Sequence, residues 1–209
     1  MENVLVAGAN GTTGKKIVAL LNESQYFTPV AMVRKASQQA QFEKDNIATV
    51  LGDLEEDISH TVKDIDKVIF AAGSGGKKVK EVDEEGANKL VDASKSVHLK
   101  KFVMLSSMGA DRPEQASDLK EYLKAKHNAD VYLKESKLTY AIVRPGSLTN
   151  DKGSGKIKAA SSLGQSGSIS RDDVAQTLVR ALHDDALTNA TIEILEGDTL
   201  IGKALESVS

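Results

Sequence analysis

Tyr122 and Lys126 are four residues apart, a spacing that places two side chains on one face of a helix. Ser106 and Ser107 end an apolar run and add hydroxyl groups that can polarise a carbonyl. A phenol is a weak proton donor near neutrality, and a lysine cation beside it favours the phenolate left after proton transfer. These four residues predict acid catalysis on a carbonyl substrate. The alternative is that Tyr122 packs against a sheet and Lys126 is a solvated charge.

A glycine-rich segment near the start of the chain predicts a second site. It follows a β-rich run, has the spacing GxxGxxG and precedes an amphipathic stretch. Glycine at such positions permits a tight turn, lets the backbone approach a diphosphate and allows close packing of helix on strand. The free N–H groups of a helix start attract phosphate. An ordinary strand–helix turn is the alternative. The predicted cofactor contacts are Gly8, Asn10, Gly11, Thr12, Thr13 and Gly14.

A basic pair follows the second β-rich run. Dinucleotide sites that take NAD usually have an acidic residue here, about 20 positions after the glycines, to bind the ribose hydroxyls. This chain has Arg34 and Lys35 instead. A guanidinium can bind a 2′-phosphate in bidentate fashion, and the lysine adds positive charge. The pair therefore predicts NADP(H) in preference to NAD(H), unless it is only a solvated pair at a strand end.

Short apolar runs alternate with longer amphipathic stretches, and these elements must position the candidate residues. The predicted strands are 3–7, 29–33, 47–51, 68–72, 101–105 and 139–143, and the predicted helices are 13–22, 37–44, 80–97 and 118–134. Continuous apolar strands are typical of parallel sheets that are covered on both faces. The pattern predicts an α/β fold of Rossmann type: a doubly wound, mostly parallel sheet with helices on both faces and a small C-terminal appendage.

The amino-acid composition changes after residue 143. Residues 145–170 are rich in Gly and Ser and predict a loop or lid. Residues 190–195 predict a last strand, and the tail from residue 199 predicts a short helix. We expect one NAD(P)-binding domain over 1–209, with 145–189 on the substrate side, because too few residues follow 170 for a separate core.

Ser170 is predicted to cap a helix that runs to about Asp184. Asp172 and Asp173 would lie in its first turn, where carboxylates are favourable, so we interpret them as helix-start residues rather than an acid/base pair. The four histidines have no metal-ligand spacing, and no metal site is predicted.

Composition excludes several classes of protein. The chain has 209 residues, no cysteine and a net charge of −3, so thiol chemistry and Cys-ligated metal are excluded. The charge and the 4% aromatic content disfavour direct binding to nucleic acid. No apolar run approaches the length of a membrane span, and the start of the chain lacks the order of a signal peptide. We therefore expect a cytoplasmic protein with no membrane partner.

As a set, these motifs resemble the short-chain dehydrogenase/reductase superfamily, and most closely its small atypical members of NmrA-like and epimerase/dehydratase-like type. The resemblance spans nearly the whole chain. Its carriers are the segments 8–14, 33–34, 52–54, 71–73, 82–86, 102–107, 122–126, 143–146 and 169–175. The resemblance implies a Rossmann fold that binds NADP.

The resemblance also implies roles for single residues. Ser106 or Ser107, Tyr122 and Lys126 match the catalytic Ser, Tyr and Lys, and Lys126 also holds the ribose. Catalytic members have an asparagine where this chain has Asp83, so the catalytic tetrad is incomplete. By the same resemblance, Asp53 and Leu54 contact the adenine, Ala71, Ala72 and Gly73 border the ribose, and Pro145, Gly146, Ser147 and Leu148 lie near the nicotinamide.

Three functions are open on these residues: two enzymatic and one non-catalytic. The first is an NADP(H)-dependent oxidoreductase that transfers hydride to a small carbonyl, quinone or flavin-like acceptor, and we favour it. The second is a non-catalytic NADP(H)-binding redox sensor or regulator, which Asp83 favours. A third is a nucleotide-sugar epimerase or dehydratase, although such enzymes generally have a larger C-terminal substrate domain. The expected partner is a small-molecule substrate, and the chain is expected to be a monomer or homodimer, with helices 80–97 and 118–134 available for pairing.

Overall fold

Six adjacent parallel strands form one side of a nine-stranded sheet within residues 1–208. In the computed structural model, which describes residues 1–208, they are β1 Glu2–Ala7, β2 Phe27–Val33, β3 Ala48–Leu51, β4 Lys67–Phe70, β5 Lys101–Leu105 and β6 Tyr140–Pro145. Their order is β3-β2-β1-β4-β5-β6, and every neighbouring pair is parallel. This is the strand order of doubly wound dinucleotide-binding folds. The predicted α/β class is confirmed, and Ser209 of the predicted domain lies outside the described residues.

Helices cover both faces of the sheet. They are α1 Thr12–Asn22, α2 Ala36–Glu43, α3 Gly86–Lys95, α4 Lys120–Glu135, α5 Arg171–Arg180 and α6 Ile201–Glu206. β1 alternates between two apolar clusters: Val4 and Val6 pack with α1, α2, α5 and α6, whereas Leu5 and Ala7 pack with α3 and α4. Because both faces are covered, the strands read as continuous apolar runs. No helix within residues 1–208 has the length and apolar composition needed to cross a membrane.

The Gly/Ser-rich segment 145–170 is not the loop or lid that its composition predicts. The strands from here to the end of the chain are β7 Ser147–Thr149, β8 Lys156–Ala160, β9 Ser168–Ser170, β10 Ala190–Glu196 and β11 Thr199–Leu200. β10 is parallel to β6, whereas β8 is antiparallel to β10 and to β11. β7 and β9 form a separate two-stranded ribbon. In β8, Ile157 is buried between exposed Lys156 and Lys158, an alternation that the surrounding glycines obscured.

Two predicted helices differ from the observed ones. The predicted helix 80–97 begins as a π-helix, Val79–Glu85, before α3. This wider turn carries Asp83 inward, where the side chain is buried. The helix that begins after Ser170 ends at Arg180 rather than near residue 184. Its predicted cap is confirmed, since the Ser170 hydroxyl accepts a hydrogen bond from the Asp173 N–H at 3.0 Å.

Candidate functional site

The strand-end residues singled out from sequence share one edge of the molecule. Strands β1 to β6 are all parallel, so their carboxyl ends meet at the same edge of the sheet. Gly8, Arg34, Asp53, Ala71, Ser106 and Gly146 all follow these strand ends, in the sheet order Asp53, Arg34, Gly8, Ala71, Ser106, Gly146. This row of strand ends, which we call the groove, is where doubly wound folds bind dinucleotides.

The glycine loop joins β1 to α1 through contacts that exclude side chains. Gly8 has φ +86°, and a Cβ there would lie 2.6 Å from the Ala72 backbone. A Cβ on Gly14 would overlap the Gly8 carbonyl oxygen and lie 2.8 Å from its carbon. Gly11 N–H donates to that same carbonyl at 2.9 Å. Two of the predicted glycines are therefore required by backbone packing, as the motif demands.

The start of α1 is open to an anion. Its N-cap is Gly11, which provides no side-chain hydrogen bond, and its first turn contains no acidic residue. By contrast, the first turn of α5 is occupied by its own acidic residues. The buried Asn10 Oδ1 beside the loop has no hydrogen-bond partner among residues 1–208. Free helix N–H groups and close-packed glycines fit the diphosphate of a nicotinamide dinucleotide.

The basic pair Arg34 and Lys35 is exposed at the end of β2. Their backbone N–H groups both donate to Gln38 Oε1, at 3.0 and 3.1 Å, which fixes the turn into α2. Within residues 1–208 neither side chain forms an ion pair with a carboxylate. Two cations on a rigid turn are therefore free to bind a phosphate.

The turn after β3, next to the basic pair, is held in place by α3. Leu54 is buried, and a Cβ on Gly86 would lie 2.7 Å from the Leu54 Cβ, so α3 packs directly on it. The Lys89 ammonium donates to the carbonyls of Leu54 and Glu55 at 3.1 and 2.7 Å. Asp53 accepts a hydrogen bond from the Glu55 N–H. This packing leaves the partly exposed Asp53 at the groove.

Lys126 lies in the middle of the candidate catalytic residues. It is buried, with its ammonium nitrogen 3.3 Å from Asp83 Oδ1 and 5.6 Å from the centre of the Tyr122 ring. It is therefore not the solvated charge of the alternative interpretation. Asp83 Oδ2 accepts a hydrogen bond from Ser74 N–H, in the segment that follows β4. The Lys126 ammonium and the Ser74 N–H are both hydrogen-bond donors, and a carboxylate only accepts. A carboxylate therefore suits position 83, where the resemblance expects asparagine.

Ser106 belongs to a buried network that sequence reasoning missed. Its hydroxyl donates to Asp130 Oδ2 at 2.9 Å, and the Arg144 guanidinium donates to the same oxygen. Burial raises the pKa of the Asp130 carboxyl, against the opposing effects of Arg144 and Ser106. Asp130 lies one helical turn beyond Lys126, so the i, i+4 series from Tyr122 was available as a signal.

Ser107 has a different environment from Ser106. It is partly exposed, and its hydroxyl makes a 3.3 Å hydrogen bond to the Met108 carbonyl. The chain on either side is fixed, because Ser106 is bound to Asp130 and the His127 imidazole contacts the Ala110 carbonyl at 2.7 Å. Of the two serines, Ser107 therefore has the hydroxyl that is free to turn toward a substrate.

The end of β6 leads into the β7–β9 ribbon. Pro145 accepts from Met108 N–H, Gly146 N–H donates to the Ile194 carbonyl, and Ser147 N–H donates to the Gly167 carbonyl. Leu148 pairs with Ile169 in the β7–β9 ribbon. These bonds hold the chain at the carboxyl end of β6, where Pro145 ends the strand and the other three predicted nicotinamide-side residues follow it.

Asp172 and Asp173 are helix-start residues, as predicted, and they also anchor residues 153–155. Asp172 accepts from Gly153 N–H at 2.9 Å and pairs with Lys16 of α1. The buried Asp173 accepts from the N–H groups of Ser154 and Gly155. The two carboxylates therefore fix residues 153–155 to α1 and α5.

The fold and the groove define a Rossmann-type dinucleotide-binding domain. The family model described as NAD(P)H-binding matches residues 8–185, and the chain belongs to that family of atypical short-chain dehydrogenase/reductase type. It is 40% identical, over 98% of its length and 99% of the relative, to the uncharacterized sugar epimerase YhfK of Bacillus subtilis (strain 168). Homologues of this chain thus include proteins with epimerase names.

Two solved structures extend the comparison. A Bacillus halodurans protein provisionally named an NAD-dependent epimerase/dehydratase is 37% identical, with a TM-score of 0.94 and 100% of both chains covered. The oxidoreductase ylbE of Lactococcus lactis is 33% identical, with a TM-score of 0.89 and 98% of this chain and 95% of that chain covered. The family is therefore one of NAD(P)-binding oxidoreductase-like and epimerase-like proteins.

Proposed function

We propose that this protein is an NADP(H)-dependent oxidoreductase that reduces a small carbonyl, quinone or flavin-like acceptor. One observation carries the proposal: the Lys126 ammonium is buried between Asp83 and the Tyr122 ring at the carboxyl edge of the sheet. A buried cation beside a phenol ring favours the phenolate that is left after proton transfer. The acceptor would lie beyond the glycine loop, over Ser107 and Tyr122.

In this proposal each residue has a separate task. The nicotinamide cofactor, when bound, supplies the hydride that reduces the acceptor carbon. Tyr122 donates its hydroxyl proton to the acceptor oxygen, so a carbonyl becomes an alcohol. Lys126 stabilises the phenolate that remains, and Asp83 holds Lys126 in position. Ser107 turns its hydroxyl from the Met108 carbonyl to the acceptor oxygen, because the Ser106 proton is already donated to Asp130.

Steady-state reduction tests this proposal directly. Purified protein is mixed with NADPH and a panel of aldehydes, ketones, quinones and free flavins, and the loss of NADPH absorbance is followed. We expect stoichiometric NADPH oxidation with at least one acceptor class. Tight NADPH binding without turnover of any acceptor would contradict the proposal and favour a redox-responsive regulator. The binding of such a regulator to its partner should differ between NADPH and NADP⁺.

Cofactor preference is proposed to depend on Arg34. We expect Arg34→Ala to weaken NADPH binding by about 10- to 100-fold, because a charge-assisted bidentate contact is lost, and to leave NADH binding unchanged. Isothermal titration calorimetry with both nucleotides measures this split. Lys44→Ala, which removes an exposed cation just beyond α2, is the matched control and should change neither affinity. Equal weakening of NADPH and NADH by Arg34→Ala would mean that NADP is not selected here.

A nucleotide-sugar epimerase is the second candidate, favoured by the names of two relatives. Epimerisation returns the hydride to the sugar, so it consumes no NADPH. The chain after β6 is short for a nucleotide-sugar site, since β8, β10 and β11 are committed to the sheet. Interconversion of UDP-glucose and UDP-galactose without net nucleotide oxidation would favour the epimerase over the reductase.

A further inference from the structure

A cavity of about 270 Å³ lies beyond Ser107 and Tyr122. Its walls come from the chain after β5, from α4 and from the turn after β8, and they include Met108, Leu123, Gln165 and Glu193. This volume is just below the roughly 300–1,000 Å³ of typical small-molecule sites, so it fits one ring or a short chain. Met108 and Leu123 directly follow Ser107 and Tyr122 in sequence, so this cavity borders the chain segments that carry the proposed catalytic residues.

Glu193 is a buried carboxylate without a cation. The residue, in β10, is 5% exposed. Its Oε2 accepts a 2.7 Å hydrogen bond from the Leu163 N–H, and within residues 1–208 no lysine, arginine or histidine nitrogen lies within ion-pair distance. Of the other buried carboxylates, Asp83 and Asp130 have Lys126 and Arg144, and in the described part of the chain Asp173 accepts three hydrogen bonds, whereas Glu193 accepts one. A buried charge that is left unpaired is costly, so the difference calls for a ligand.

The remaining charges of the cavity do not neutralise Glu193. Arg112 also lines it, but its guanidinium is 2.9 Å from the neighbouring Asp111 carboxylate, which lines the cavity too. Asp111 also lies 3.9 Å from the Arg144 guanidinium, so among residues 1–208 Glu193 is the charge of this lining without an ion-pair partner. Such a cavity repels a carboxylate or phosphate group and attracts a cation or an N–H donor.

We propose that the Glu193 carboxylate binds a protonated or N–H-bearing nitrogen of the acceptor, so that the natural acceptor is a nitrogen-containing compound. The contact would orient the acceptor, with its reducible carbon toward Ser107 and Tyr122. The assignment of this ligand as the acceptor rests on the proposed reductase function. The preference of the cavity for a cation does not, and binding alone can test it.

Binding of two small probes to the NADP⁺-loaded protein tests the proposal. Benzylammonium carries the charge, and benzyl alcohol is its neutral analogue of similar size; their affinities are measured by ligand-observed NMR titration. We expect Glu193→Gln to weaken benzylammonium binding about tenfold, the loss of a hydrogen bond to a charged group, and to leave benzyl alcohol unaffected. The glutamine oxygen can still accept from Leu163 N–H. Glu196→Gln, an exposed site on the same strand, should change neither probe.

Three outcomes would overturn the proposal: no benzylammonium binding by the wild-type protein, equal binding by Glu193→Gln, or equal weakening of both probes, which would assign Glu193 to structure alone. These outcomes are separable from failure of the reductase proposal. If benzylammonium binding depends on Glu193 but the protein reduces no acceptor, the cation site is supported and the reductase proposal is wrong. If the protein reduces an acceptor but Glu193→Gln leaves benzylammonium binding unchanged, the reductase proposal is supported and the cation site is wrong.

Discussion

Gly14→Ala is expected to weaken binding of both NADPH and NADH by roughly 100-fold, because overpacking against rigid backbone costs up to about 3 kcal/mol. An alanine Cβ would overlap the Gly8 carbonyl oxygen and lie 2.9 Å from the Ala9 Cα. No side chain can move aside to relieve these contacts. The start of α1 must therefore shift away from β1, and the N–H groups that face the groove shift with it.

Calorimetric titration with each nucleotide measures the loss, and thermal unfolding followed by circular dichroism reports whether the fold persists. Gly202→Ala in α6 is the matched control: a Cβ there meets no atom within 4 Å, so this variant should bind like the wild type and be equally or slightly more stable. Wild-type affinity in a folded Gly14→Ala protein would show that the glycine loop does not hold the diphosphate.

Tyr122→Phe is expected to lower kcat for a carbonyl acceptor by about 10²- to 10⁴-fold, the usual contribution of a positioned general acid. Phenylalanine keeps the ring beside the Lys126 ammonium, so NADPH affinity should be unchanged. Stopped-flow and steady-state measurements of NADPH oxidation separate the chemical step from binding. A solvent isotope effect on the wild-type rate should accompany the proton transfer.

Tyr132→Phe provides the control on the same helix, because its hydroxyl donates to Asp92 Oδ2 and not to the groove. Its turnover should match the wild type. If Tyr122→Phe also turns over normally, proton donation by Tyr122 is wrong. Reduction would then need only proximity of donor and acceptor, as for a flavin or quinone.

The six-stranded parallel part of the sheet was predictable because its physical causes are local. A strand covered on both faces has a continuous apolar run, as in residues 4–7 of β1 and 102–105 of β5, and an amphipathic stretch such as α1 must bury one face. The carboxyl-edge positions of Gly8, Arg34 and Ser106 follow from parallel pairing alone. Spacing likewise predicted that Tyr122 and Lys126 share a helix face.

The segment after β6 was less predictable because several of its strands are short and depend on pairing across the fold. β8 is stable next to β10, more than 30 residues later in the chain, and glycines in the turns around it suggested a loop. The π-helical turn at Val79–Glu85 has no signature in composition. It nevertheless determines where Asp83 meets Lys126.

By itself, the sequence determined the class of fold, the glycine loop and its glycines, and a basic pair suited to a phosphate, because each depends on residues near one another in the chain. Only the tertiary structure distinguished Ser107 from Ser106, gave Lys126 its partner in Asp83, and left Glu193 buried without a cation. Hydrogen-bond partners and unpaired charges are properties of residues brought together from distant segments. Their energies depend on burial, which one-dimensional spacing does not encode.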